Sequence, residues 1–98
     1  MFDQLKSALV PALAQDRAER ATWEHSMYDA YAEVSGVRVT EFTDPGFTDF
    51  LGVRHACMTI VEARLVAMPS VVGRGETLDE ALTAFGEAIR RARLAFSV

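Results

Sequence analysis

The sequence predicts an α+β fold, a two-layer α/β sandwich running helix or helices, three-stranded antiparallel sheet, then a closing helix. Three observations carry this. Apolar residues recur at helical spacing near both ends of the chain. Between them lies a stretch with period-two alternation and a strong Thr43-Asp44-Pro45-Gly46 turn signal. At 98 residues, half of them apolar and about a quarter charged, the chain is one domain, residues 1–98, with a single modest core.

Phe2, Leu5, Leu9, Ala12 and Leu13 share a helical face interrupted by Pro11, which either kinks one helix or opens a second. Residues 14–21 are charged and helix-prone. Trp23, Met27, Ala30, Tyr31 and Val34 then resume an apolar stripe that extends the helical region to Gly36, a natural stop. Val37 to Phe42 reads as a strand, with Val37, Val39 and Glu41 on one side and Arg38, Thr40 and Phe42 on the other. Residues 47–52 are expected to form a single helical turn that buries Phe47, Phe50 and Leu51.

Residues 53–68 give two conflicting signals. His55, Thr59 and Glu62 fall on one helical face, but Arg64 would then interrupt the apolar face opposite. The β-branched run Thr59-Ile60-Val61 favours strand. Two strands are expected, near 54–61 and 64–72. After a glycine turn at Gly73-Arg74-Gly75, Thr77 is placed to cap a helix, and Glu80 to reach back to the Thr77 N–H. Leu78, Ala81, Leu82, Phe85, Ala88, Ile89, Ala92 and Phe96 then line the face of a helix of about five turns, with Phe85, Ile89 and Phe96 supplying core.

Composition narrows the function. Net charge is −4, and residues 1–35 carry six acids against three bases, so no general basic field exists to hold a phosphate backbone. No run of about 18 apolar residues suggests a membrane span. The first residues lack the basic and apolar regions of a secretory signal. Cys57 is the sole cysteine and cannot form an internal disulfide, so a reducing, cytoplasmic setting is expected.

Gly73-x-Gly75 before a helix start invites a phosphate-loop reading. Glu76, Asp79 and Glu80 place negative charge where an anion would bind, and the Walker spacing is missing. Arg90, Arg91 and Arg93 complement the negative end of the last helix. His55 and Cys57 would share one face of a strand, read as a partly exposed histidine beside a buried thiol. With His25, taken as a surface residue, they make neither a four-ligand metal site nor an oriented Cys–His pair. No catalytic residue, cofactor or metal is therefore assigned, and an enzyme is not expected.

Trp23, Tyr28 and Tyr31 cannot all occupy one narrow helical stripe, which marks them as candidate protein-interaction residues. The alternative is that all three close a small core.

The segment Leu65-Val66-Ala67-Met68-Pro69-Ser70-Val71-Val72-Gly73-Arg74-Gly75-Glu76-Thr77-Leu78-Asp79-Glu80-Ala81-Leu82 resembles the strand–turn–helix unit of HicB-like antitoxins. The likeness runs over residues 65–91, a quarter of the chain, and extends to similar small phage α/β proteins. It implies a non-catalytic protein that binds and neutralises another protein, such as a toxin or a host factor. No functional residue is carried over, since the shared positions are structural. The expected function is thus a small inhibitor or regulator of the antitoxin or anti-defence kind, from a phage or mobile element. It is expected to be a homodimer or higher oligomer, or to meet its partner through the 23–31 aromatic region. Two alternatives are a nucleic-acid binder using Arg38, Arg54, Arg64 and Arg74 on the sheet, and a homo-oligomeric phage structural component.

Overall fold

The computed structural model describes the backbone of residues 2–96 and the side chains of residues 2–93, so the core role expected of Phe96 lies outside the described residues. The elements are α1 (Asp3–Arg20), β1 (Ala30–Val34), β2 (Val37–Asp44), β3 (Phe47–Thr48), β4 (Arg54–His55), β5 (Met58–Leu65), β6 (Val72–Gly75) and α2 (Leu78–Phe96). Strands β1-β2-β5-β6 form one antiparallel sheet in that order, and β3 and β4 pair separately. The α+β layering is as predicted, but the main sheet has four strands rather than three.

The additional strand is β1, which lies in the segment expected to be helical. Its spacing satisfies both periods: Ala30, Ala32 and Val34 alternate with Tyr31 and Glu33 as readily as the apolar positions repeat along a helix. The connection decides between them. Ser35 and Gly36 both have positive φ, 53° and 77°, between the paired residues Val34 and Val37. That is the primed two-residue turn whose twist matches a hairpin, so Gly36 closes strands rather than a helix.

Pro11 lies inside the single helix α1. Its ring removes a hydrogen bond to the Ser7 carbonyl, but Ser7 and Pro11 are both on the exposed side, where that carbonyl is open to solvent.

Both helices cover one face of the sheet. Ala30 and Ala32 of β1, Val37 and Val39 of β2, and Val61 and Ala63 of β5 are buried there against Leu9 and Leu13 of α1 and Ala81, Leu82 and Phe85 of α2. The register aligns these residues in rows: Ala32, Val39, Ala63 and Gly73 lie across the four strands. The glycines complete the packing. A Cβ on Gly73 would fall 2.1 Å from the Phe85 backbone nitrogen, and one on Gly75 would fall 2.4 Å from the Glu80 Cβ. Gly73-x-Gly75 is therefore a strand on which α2 rests directly, and not the glycine turn expected.

The turn before it is also displaced. β5 continues through Leu65, and residues 66–71 turn around Pro69, closed by Leu65 N–H to Val71 O and Val71 N–H to Met68 O. The strands expected at 54–61 and 64–72 are thus β5, at 58–65, and β6, at 72–75. Thr77 caps α2 by accepting the Glu80 N–H. The Glu80 carboxylate reaches one residue beyond the standard box, to the Glu76 N–H.

Candidate functional site

The three aromatic residues singled out in the sequence do come together, on a loop and a strand and around a cation. The guanidinium carbon of Arg20 lies 5.4 Å from the Trp23 ring centroid, 5.9 Å from Tyr28 and 5.7 Å from Tyr31. Arg20 is held in place by the Asp16 carboxylate one turn earlier and by a 3.3 Å bond to Ser26 Oγ. The same Asp16 oxygen accepts the Tyr31 N–H at 2.6 Å. Asp16 thus satisfies an outward donor of the edge strand β1, one of the ways a sheet edge is shielded from pairing with other chains. The tyrosines are half-buried, while Trp23 is 60% exposed, so the cluster is an anchored surface feature. A groove of about 470 Å³ runs beside it, lined by Trp23, Glu24, Tyr28, Asp29, Glu41 and Thr43 among others.

A second feature went unseen in the sequence. Residues 45–57, expected to contribute a buried helical turn, form an arm that continues the β2–β5 hairpin beyond the main sheet. Its short strands β3 and β4 pack chiefly on each other. Phe47, Phe50, Leu51 and Val53 are exposed, Phe50 at 97%, and Met58 at the root is also exposed. The expected burial fails because neither helix extends over this end of the hairpin.

The arm is nevertheless ordered by its own chemistry. Gly46, at φ 79°, donates its N–H to Asp44 Oδ1 at the root. At the tip the Asp49 carboxylate accepts the Leu51 and Val53 N–H groups at 2.9 and 3.0 Å, and its other oxygen lies 3.0 Å from His55 Nε2. The Asp49 N–H donates to Val53 O, closing the turn. The imidazole of His55 stacks on Phe47 at 4.5 Å between centroids. The His55 hydrogen bond and then the Val53 backbone donor hold the Asp49 carboxyl below the usual aspartate range; desolvation opposes them and the Leu51 donor adds to them.

The sheet face away from the helices carries the arginines. Arg38 and Arg64 are direct cross-strand neighbours and Arg74 lies opposite Glu62, but Arg54 is on the arm. Like charges opposite one another are destabilising unless compensated. Glu62 supplies the compensation, accepting two bonds from Arg64 at 3.0 and 2.8 Å and one from Arg74 at 2.8 Å. Partial burial pushes the Glu62 carboxyl up, but the two guanidinium groups outweigh it and hold it below the usual glutamate range. Arg38 approaches Glu33 at 4.0 Å and lies over the Tyr31 ring. The face is thus a salt-linked network whose charges are largely spent on one another.

Cys57 is exposed rather than buried, because β4 ends at His55 and the thiol falls on the link to β5. His25 is an exposed loop residue. Among the described residues, no three His, Cys, Asp or Glu side chains converge as metal ligands, and no helix is long and apolar enough to cross a membrane. Comparison with known proteins finds no significant match to a family model, a characterised protein or a solved structure.

Proposed function

We propose that this chain is a non-catalytic protein-interaction module, an inhibitor or regulator of the antitoxin-like kind, that works by docking on another protein. The observation that supports this is the arm: a short hairpin, held by Asp49, that presents Phe47, Phe50, Leu51 and Val53 to solvent. Clustered exposed apolar side chains mark contact surfaces, and a pre-ordered tip loses little conformational freedom on binding. The likeness of residues 65–91 to HicB-like antitoxins points the same way. The nucleic-acid reading draws less support, since Glu62 already engages two of the three arginines on the sheet face in ion pairs.

The test is affinity capture from the source cell with the wild-type chain and with Phe50→Ser/Leu51→Ser. A protein retained by the wild type and lost by the equally stable variant is the expected result. Retention of nucleic acid alone, or capture unaffected by the substitutions, would refute the proposal.

A further inference from the structure

We infer that the arm's first partner is a second copy of this chain, each arm lying in the groove beside Trp23 of the other copy. The inference rests on the protein-docking reading above: a second copy covers the arm in the free protein, and the regulated protein would exchange with it there.

Charge complementarity points to it. The groove is lined by Glu24, Asp29 and Glu41 and by Arg17 and Arg20; Arg17 is paired with Glu41 and Arg20 with Asp16, and Asp29 accepts the Thr43 hydroxyl. Glu24 has no side-chain partner among the described residues. On the arm, Asp49 is committed to the tip turn and His55, whereas Arg54 also has no partner among the described residues. An arm with an apolar tip and one unpaired cation therefore matches a groove with aromatic walls in which neither Glu24 nor Asp29 has a cation partner among the described residues. Trp23 offers the apolar surface for Phe50 and Leu51, and Glu24, its neighbour in sequence, the counter-charge for Arg54.

Placement makes the contact reciprocal. The groove is lined by Glu41 and Thr43, at the end of β2 from which the arm departs. A groove at the root of each arm means that two antiparallel arms place each tip at the other's root, so one two-fold axis satisfies both contacts. Arm and groove together offer about two dozen residues per copy, within the roughly 20–30 of a stable interface. Between two molecules of net charge −4, the match of Arg54 with Glu24 also offsets general repulsion.

The experiment is light scattering and sedimentation of the full chain from 1 to 100 μM, with Trp23, the single tryptophan, as a fluorescent reporter. The wild type is expected to be a dimer whose Trp23 emission shifts to the red on dilution. Phe50→Ser/Leu51→Ser, Arg54→Glu and Glu24→Arg should each weaken the dimer at least ten-fold with thermal midpoints preserved, and Arg54→Glu with Glu24→Arg should restore it. A wild type monomeric throughout, a dimer indifferent to these substitutions, or a charge exchange that restores nothing would overturn the inference. So would a monomer whose arm instead binds phosphatidylcholine vesicles. A monomeric wild type that still captures a different protein through Phe50 and Leu51 refutes the second copy and leaves the docking reading standing.

Discussion

Gly73 lies directly beneath Phe85, with no room for even a methyl group between β6 and the backbone of α2. The closest atoms are backbone, which cannot rotate aside. Gly73→Ala is therefore expected to push the helix from the sheet and destabilise the fold by about 1–3 kcal/mol. For a domain of this size each kcal/mol lowers the melting temperature by about 4–8 °C. A thermal melt of the variant that overlays the wild type would mean that α2 does not rest on β6 as described.

Asp49 organises the arm without joining it to the core. Asp49→Ala should abolish amide protection at Leu51 and Val53 in hydrogen exchange while leaving the global melting temperature nearly unchanged. The pH dependence follows from its lowered carboxyl pKa. The order it confers is complete above the ordinary aspartate range and lost as pH falls through the folded-state value. Protection at these amides should fade on acidification in the wild type and be absent at every pH in the variant.

Arg20 should be the tether of the 21–29 loop. Arg20→Met keeps much of the stem but removes the charge shared with Trp23, Tyr28, Tyr31 and Asp16. The expected cost is about 1 kcal/mol. A red-shifted, more quenchable Trp23 fluorescence should accompany it. Unchanged Trp23 emission would show that the loop is held by other contacts.

Glu62 predicts an acid-sensitive contribution from the open sheet face. Its carboxyl is held below the usual range by Arg64 and Arg74, so the stability it adds is present above that range and lost as pH falls through its lowered value. Glu62→Gln should melt below the wild type at pH 7, with Arg38 and Arg64 left facing each other less well compensated. The gap should narrow under acid. A gap that stays constant with pH would rule out the ion pairs as its source.

The elements most legible in the sequence were those fixed by local chemistry. The Thr77 cap, the helical face of α2 and the alternation of Val37 and Val39 each follow from neighbours close along the chain. What misled was any segment whose outcome depends on distant surface. Trp23, Met27, Ala30, Tyr31 and Val34 fit a helix, yet Ala30–Val34 pairs with β2 because the Ser35-Gly36 turn brings the strands together. Phe47, Phe50 and Leu51 look like core residues and would be buried if a helix covered them, but α1 and α2 lie elsewhere on the sheet. The site was half visible: Trp23, Tyr28 and Tyr31 were recognisable by type, while their gathering around Arg20 depends on Asp16 and on a loop crossing. The signal for the arm was the Asp44-Pro45-Gly46 turn followed by Leu51-Gly52, two turn signals bracketing a short strand.

The most direct test of the central claim places a photo-crosslinking phenylalanine derivative at position 50 in the living source cell, where Phe50 is the most exposed apolar side chain of the arm. Irradiation is predicted to join the arm to protein, a second copy of the chain first among the products, and Asp49→Ala should reduce the yield. Adducts confined to nucleic acid or lipid, or none above a control carrying the probe on an exposed helix position, would contradict the account.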